Sequence, residues 1–597
     1  MCPIDSQTIE NLARAHQKEA VTESHLPFHN FRDLLSLHAK TSPGKTYLIH
    51  YDADGQRDSL SYRQVVARVH QIANFMVEDL GIKRGDRVAS LAYNHSDTVL
   101  LYFACWVIGA TIAPLNVAED NARLAFILKN SEAKAFFVRG EYIDRVEEIL
   151  NIEGEHQPDQ IEVLIQIGGE SDSRFVQFHE ALKGRPTTFL ADGVGAKSAD
   201  LAIYAGNEAT ASLHDEALLV YTSGTTGAPK GVVLTQYNLL VDALAISQWQ
   251  AITGNQRMMC VLPIHHVNGI VVTLITPLLV GASTVLNRQF SVSHFWERVV
   301  KEEVHIVSVV PTLLQFLLEY GRDQLAAGNT IFGHNINRSD LSHFRHFICG
   351  AGTLALSLVR DFEDTFGLTI LHGYGLSETT CYSCFLPFHL SWEEHQHWML
   401  DYEYPSIGCP IQANEMAIFS ADGSGQRLGE GERGEICIRG DNVMKHYFKR
   451  DDANAETFKF GWFRSGDEGF YKTDAQGRPF FFITGRLKEL INRGGVKFSP
   501  FDIEEVLLEI KGVKVALAVA FENDYYGEEV GAYIVPESGV TLDEARILAH
   551  CRERLNFEKS PKVIVFGTEI PITSTGKYQR LKLRPLFGEW KSTQFRK

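Results

Sequence analysis

The stretch Thr222-Ser-Gly-Thr-Thr-Gly-Ala-Pro-Lys-Gly231 puts three glycines, four hydroxyl side chains and one lysine into ten positions. These are the parts of an anion cradle: glycine lets backbone N–H groups turn toward an oxygen-rich ligand, hydroxyls add donors, and the lysine adds a cation. A Walker A loop needs adjacent Gly and Lys followed by Ser or Thr. Here Pro229 precedes Lys230 and Gly231 follows it, so a P-loop kinase or GTPase is disfavoured. A phosphate-holding loop of another design remains.

The surroundings of this loop indicate the fold class. Leu218-Leu-Val-Tyr221 reads as a strand leading into it, and His305-Ile-Val-Ser-Val-Val310 and His346-Phe-Ile-Cys349 repeat the pattern downstream. Upstream, Arg87 to Ala92 and Ala133 to Val138 alternate with helical patterns. This alternation predicts an α/β fold, with a large, multi-layered N-terminal domain of mostly parallel sheets over residues 1–485. Two uncharged runs, Thr98 to Ala118 and Met258 to Asn287, are long enough to be weighed as membrane spans. The first is broken by Gly109 and Pro114 and reads as a buried helix, Val99 to Ile108, turning into a short strand; the second holds Pro263, paired histidines and Gly269. Both read as buried core. Glu153 to His214, rich in Gly, Asp, Ser and Ala, is assigned no function.

The charged turn Thr484-Gly-Arg-Leu-Lys-Glu489 marks a hinge, and residues 486–597 are expected to form a small, mobile α+β domain. Its helix starts are legible: Ser499 can cap, Pro500 suits the first turn and Asp502 can reach back toward the cap, while Thr541-Leu-Asp-Glu544 repeats the device. Strand-like runs cover Ala516 to Phe521, Gly531 to Val535 and Val563 to Phe566.

A chain of 597 residues with 45% hydrophobic and 22% charged residues fits a folded enzyme of two or more domains. Its net charge of −17, with no basic stripe, argues against nucleic acid as a partner, so anionic ligands must meet local positive sites. Nine irregularly spaced cysteines and the lack of an apolar leader suggest reduced thiols and a cytoplasmic setting. Cys381 and Cys384 form a CxxC without the second ligand pair that zinc would want.

Further motifs follow in order: Gly109-Ala-Thr-Ile-Ala-Pro-Leu-Asn116, Leu262-Pro-Ile-His-His-Val-Asn-Gly269, Gly350-Ala-Gly352, His372-Gly-Tyr-Gly-Leu-Ser-Glu-Thr379, Trp462-Phe-Arg-Ser-Gly-Asp467, Gly485-Arg-Leu-Lys-Glu489, Arg493-Gly-Gly495 and Pro571-Ile-Thr-Ser-Thr-Gly-Lys577. Together with Tyr221 to Gly231 they resemble, from about Phe31 to Arg584, the adenylate-forming superfamily of acyl-CoA synthetases, nonribosomal-peptide adenylation domains and firefly luciferase. The resemblance is strongest to an acyl-CoA synthetase. It implies that a carboxylate attacks the α-phosphorus of ATP, pyrophosphate leaves, and the acyl group passes from AMP to a thiol.

By the same resemblance, Thr222, Ser223, Gly224, Thr225, Thr226, Gly227 and Lys230 hold phosphates, and Gly350, Ala351, Gly352, Gly373, Tyr374, Gly375 and Ser377 surround the adenine. Asp467 accepts from the ribose hydroxyls and Arg486 contacts the ribose and phosphate side. Glu378 is a Mg²⁺ ligand of the hard-oxygen type. Lys577 bridges the attacking carboxylate and the α-phosphate, a role that suits a compact point charge. His266 borders the acid pocket, and His265 departs from the aromatic residue common there. Lys488 is the pivot, and Gly494 and Gly495 let a pantetheine arm pass.

The expected substrates and cofactors are therefore ATP, Mg²⁺, a carboxylic acid and coenzyme A. CoA is favoured because Arg493 to Pro500 resembles the ligases that use free CoA. A carrier-protein thiol is the nearest alternative, a luciferase-like monooxygenase a remote one, and a non-catalytic nucleotide-binding protein the alternative from another class. The acid pocket draws on Val267, Val309, Gly350, Gly375 and Cys381, whose small or apolar character favours a hydrophobic acyl or aryl acid. The segment His389 to Tyr402, with two tryptophans and three histidines, departs from the usual connection. It admits a lid, an interface or, as the favoured reading, a plain surface loop.

Overall fold

The computed structural model describes residues 25–152, 154–188, 211–222, 229–333, 335–572 and 578–596. Two large sheets carry most of the chain. In the nine-stranded one, Thr46–Tyr51, Ser283–Asn287, Arg257–Cys260, Ile306–Val309, His346–Cys349 and Thr369–Tyr374 run parallel in that spatial order. The eight-stranded sheet is parallel through Glu216–Thr222, Thr111–Leu115, Arg87–Leu91, Ala135–Arg139 and Val163–Ile167. On the far side of Glu216–Thr222 it turns antiparallel, with Lys230–Thr235 and then His446–Tyr447.

Apolar runs that alternation alone cannot assign become central elements. Every residue of the helix Ser96–Ile108 is buried, and Gly109, at φ 84°, ends it in the left-handed conformation before the strand Thr111–Leu115. This is the helix-then-strand reading of the first uncharged run. The second run becomes the strand Arg257–Cys260, a π-helix Asn268–Ile275 and the strand Ser283–Asn287. No helix among the described residues is long and apolar enough to cross a membrane.

Two features differ from the expectation. A third sheet, Asn414–Phe419, Gly434–Gly440, Phe463–Thr473 and Pro479–Arg486, is antiparallel throughout. His389 to Tyr402 is not a surface loop. It forms the helix Trp392–Leu400, started by a capping box of Ser391 and Glu394. Its inner face is held by His395 Nε2 and Gln396 Nε2, each 2.8 Å from a different carboxylate oxygen of the buried Glu363. Trp398 lies flat on Phe480, with ring centroids 3.8 Å apart and planes within 1°. Trp398 and Met399 are buried, whereas Trp392 is exposed.

From Ile491 the chain builds a separate mixed sheet, Val496–Phe498, Ile491–Arg493, Gly527–Pro536 and Val513–Asn523, with Val563–Phe566 parallel to Gly527–Pro536. Ser499 caps the helix Pro500–Leu508, as expected, by accepting from Phe501 N. Asp502 does not reach back: its carboxylate takes Lys559 at 2.6 Å, with Arg433 at 3.7 Å and the Tyr404 hydroxyl beside it. Asp543, not Thr541, caps Glu544–Arg554.

The smaller unit rests on the larger one through named contacts. Lys514 Nζ is 2.9 Å from Glu319 Oε1, and Glu505 accepts the backbone N–H of Leu356, the first residue of the helix Leu356–Phe366. Burial and the neighbouring Glu504 push the Glu505 carboxyl up to about 7. Inside the unit, Arg580 joins the buried Glu504 to Glu489, which sits in the turn Leu487 to Glu489.

Candidate active site

Parallel sheets gather ligands at the C-terminal ends of their strands, and the ends of Ile306–Val309, His346–Cys349 and Thr369–Tyr374 open onto a cavity of about 330 Å³. Ala351, Gly352, Gly373, Tyr374 and Gly375 line it from the sheet, and Asp467 and Arg486 from the antiparallel sheet. Asp467 and Arg486 face each other across the strands Phe463–Thr473 and Pro479–Arg486. The Tyr374 hydroxyl donates to Asp467 Oδ2 at 2.7 Å, and Arg486 Nε lies 3.5 Å from Asp467 Oδ1. Asp467, in turn, raises the guanidinium of Arg486 further above its ordinary value.

The opposite wall comes from the small unit, as Tyr578, Gln579, Arg580, Leu581 and Lys582. Ile572 and Tyr578 pair across an isolated bridge, and Gln579 N donates to Pro571 O at 2.8 Å, so the two ends of the last motif are held together beside the cavity. Lys577 itself lies outside the described residues. The wall carries Arg123, Arg486, Arg580 and Lys582 against Asp467 and Glu489, a local positive balance that suits a polyanion in a chain whose net charge is −17. Neither Arg123 nor the 578–582 segment was marked by the motifs, although Tyr578 directly follows Lys577. His372, missed as a lining residue, is buried and held near 4 by desolvation, its Nδ1 3.0 Å from Ser406 O; it stands there as a neutral ring.

The glycine motifs sort by what approaches them. A Cβ on Gly375 would lie 1.9 Å from Cys381 O, and one on Gly373 would lie 2.4 Å from the Phe385 ring. A Cβ on Gly350, which does not line the cavity, would lie 2.6 Å from the Tyr382 hydroxyl. At these three positions the missing side chain is required by packing. Ala351, between Gly350 and Gly352, adopts φ 65°, in the left-handed region. Ser377 also lies outside the lining, on the short 3₁₀ turn Ser377–Thr379.

A second constellation forms beside the first. The phosphate-type loop bridges two antiparallel strands with Thr222 opposite Lys230, so it is a strand–loop–strand and not the strand–loop–helix of a Walker site. Ser223, Gly224, Thr225, Thr226 and Gly227 lie outside the described residues. Burial, reinforced by Lys488 and Arg450, lowers the Lys230 ammonium from its usual range, while Glu378 acts in the other direction. Glu378 also raises Arg486, so its charge reaches both constellations.

The Glu378 carboxylate accepts the Tyr447 hydroxyl at 2.7 Å through Oε1. Among the described residues, no group of three or more His, Cys, Asp or Glu could enclose a metal. A Mg²⁺ held by Glu378 would draw its other ligands from substrate phosphates and water, which is how Mg²⁺ commonly binds beside nucleotides. The donor type fits. Just after Glu378, Thr380 holds φ 64° and ψ −54°, strained for a β-branched residue, and is fixed by its hydroxyl donating to Asn442 O at 2.6 Å.

Three expected site residues stand apart. His266 packs against His265 with ring centroids 4.5 Å apart. His265 is buried, neither of its ring nitrogens has a hydrogen-bond partner among the described residues, and desolvation pushes its pKa far down. Gly494 and Gly495, at φ 59° and 91°, form the exposed two-residue turn of the hairpin Ile491–Arg493 and Val496–Phe498, away from the cavity.

The model of the AMP-binding enzyme family matches residues 35–448, and that of the AMP-binding enzyme C-terminal domain matches residues 502–577. An oxalate–CoA ligase of Arabidopsis thaliana is 31% identical over 86% of this chain and 91% of its own. A sulfoacetate–CoA ligase of Cupriavidus necator is 31% identical over 93% of this chain and 97% of its own. The crystal structure of ATP-bound MatB from Rhodopseudomonas palustris superposes with a TM-score of 0.78 at 24% identity, over 94% of this chain and all of that one, a likeness of fold.

Proposed function

Since the chain belongs to the AMP-binding enzyme family, we propose that it is an ATP-dependent acid–CoA ligase. The acid's carboxylate attacks the α-phosphorus of ATP, pyrophosphate departs, and the CoA thiol then displaces AMP from the acyl-adenylate. One observation carries the reading: Tyr374 and Asp467 on the large unit, Arg486 at the junction and Tyr578 to Lys582 on the small unit line the same cavity. Asp467 is assigned the ribose hydroxyls, and Arg486 and Lys230 are assigned the positive charge that meets the negative charge accumulating in the reaction. Bound at Glu378, Mg²⁺ would supply charge neutralisation for the departing pyrophosphate. Lys577, in the motif that ends at Tyr578, is assigned the charge that accompanies the attack. Residues 1–485 and 486–597 are assigned to two domains pivoting at Lys488, which would bring Gly494 and Gly495 to the thiol channel. Among the described residues the cysteines are buried and form no disulfide, which suits a reducing, cytoplasmic setting.

For the acid there are two readings. Val267, Val309 and Cys381 are buried and apolar, which favours the hydrophobic acid. Tyr382 fills the space before Gly350, and its hydroxyl accepts from Asn268 Nδ2 at 3.2 Å while Ser308 Oγ donates to Asn268 Oδ1 at 2.7 Å. This polar cluster favours a compact acid, as do the oxalate and sulfoacetate of the two relatives.

Acid-dependent ATP–pyrophosphate exchange and AMP release, run over short polar, aryl and long-chain acids with and without CoA, test the whole proposal. Lys577→Ala should lower exchange by roughly 10²–10³. Near-normal exchange in that variant would remove Lys577 from the chemistry. Absence of AMP with every acid would favour a binding protein, and a thioester formed only on a carrier protein would displace CoA.

A further inference from the structure

We propose that Tyr447 is a positioning residue for nucleotide and metal, one phenol that orients the Glu378 carboxylate with its hydroxyl and the Lys230 ammonium with its ring. The proposal rests on the reading of Glu378 as a metal ligand. Tyr447 is buried, and three separate interactions fix it. Its strand, His446–Tyr447, pairs antiparallel with Lys230–Thr235, placing Tyr447 opposite Val232. Lys230 is thus its diagonal cross-strand neighbour on the same face, within reach of a ring. Asn454 clamps the backbone: its Oδ1 accepts Tyr447 N at 2.7 Å and its Nδ2 donates to Tyr447 O at 3.0 Å.

From that fixed backbone the side chain meets two opposite charges. The hydroxyl donates to Glu378 Oε1 at 2.7 Å, and Lys230 Nζ sits 4.7 Å from the ring centroid. Among the described residues this is the one hydrogen bond to the Glu378 carboxylate, so Oε2 is the oxygen left for a cation. A phenol that donates to a carboxylate gains electron density in its ring, which strengthens the attraction of the ring face for an ammonium. The two contacts therefore reinforce each other, holding carboxylate and lysine apart while keeping both oriented. Without the phenol, Glu378 and Lys230 would be drawn toward a direct ion pair, in which neither faces the ligand.

Two substitutions separate the two contacts. Tyr447→Phe keeps the ring and the Asn454 clamp but removes the hydroxyl; Tyr447→Leu removes both. The readouts are Mn²⁺ affinity, from the paramagnetic resonance of free Mn²⁺ with α,β-methylene-ATP present, and affinity for that analogue in metal-free buffer. Tyr447→Phe should weaken Mn²⁺ binding by roughly tenfold or more, the usual effect of losing a residue that orients a metal ligand. Its metal-free affinity for the analogue should stay within about twofold, which also shows that the variant is folded; Tyr447→Leu should weaken both, the analogue by several-fold. Glu378→Gln is the control. If it weakens Mn²⁺ binding and Tyr447→Phe does not, the positioning role is wrong while the metal reading stands. Unchanged Mn²⁺ binding in Glu378→Gln overturns the metal reading and this inference with it.

Discussion

Removing Arg580 should unsettle the small unit in a pH-dependent way. Its Nη1 holds Glu504 and donates to Ala518 O at 2.6 Å, and its Nε lies 3.5 Å from Glu489. Both members of the Arg580–Glu504 pair are nearly inaccessible, at 7% and 6% exposure. Burial outweighs the arginine, so the Glu504 carboxyl is raised above its ordinary 4.5 even in the intact pair. In Arg580→Met the carboxylate would keep Ala518 N as a partner at 2.9 Å but lose its counter-charge.

Truncating one partner of a buried pair costs about 3–5 kcal/mol when the other stays charged. Glu504 can escape by taking up a proton, and from an unfolded value near 4.5 that limits its penalty to about 3.4 kcal/mol at pH 7 and about 0.7 at pH 5. Since the intact protein already bears part of this, we expect a loss of about 2–3 kcal/mol at pH 7 that shrinks toward pH 5. The sign follows from linkage: a carboxyl whose folded pKa is raised binds protons better when folded, so stability is retained in acid and lost as pH rises. Urea titrations at the two pH values, followed by tryptophan fluorescence and circular dichroism, measure it, and Arg580→Met/Glu504→Gln should lose the pH dependence. A single variant within about 0.5 kcal/mol of the parent at pH 7, or one whose loss does not change with pH, would refute the reasoning.

Glu505 offers a second pH effect. With a folded value of about 7, its contribution to docking is complete below its unfolded value and is lost as pH rises through about 7. Small-angle scattering of the parent against pH should report looser docking across that window, and Glu505→Gln should flatten the response. Asp467→Asn should raise the KM for ATP by roughly 10- to 100-fold, the loss of a charged acceptor for a bound hydroxyl, with a smaller change in kcat; a KM within twofold of the parent would remove Asp467 from nucleotide binding.

The residues themselves explain which parts of this were legible. Tyr374, Asp467, Arg486 and Glu378 were readable because each lies in a short motif whose local backbone, a strand end or tight turn, determines where the side chain goes. Ser96–Ile108 was readable because an unbroken apolar run stopped by Gly109 has few other solutions. Tyr447 and Arg123 were not, since what gives them meaning lies far away in the chain: Glu378 and Lys230 for the first, the cavity shared with Tyr578 to Lys582 for the second. The helix Trp392–Leu400 was missed because its polar residues suggested solvent, whereas His395 and Gln396 satisfy a buried Glu363 contributed by another helix. Asp502 was misassigned for a similar reason, as Lys559 outcompetes the local cap. Lys577 and the loop Ser223 to Gly227 lie outside the described residues, so their roles rest on sequence.

Arg486 is the last residue of its strand, pairs with Asp467 in the cavity, and is followed directly by the turn Leu487 to Glu489 that leads into the small unit. The residue proposed to grip the ligand and the proposed joint are therefore consecutive in the chain. Free-energy linkage makes such an arrangement reciprocal: whatever preference a nucleotide has for this orientation of the two units is returned, factor for factor, as a preference of the orientation for that nucleotide. Product release and the proposed reorientation would then be two descriptions of one equilibrium, and a substitution in the turn should alter nucleotide affinity without touching the nucleotide.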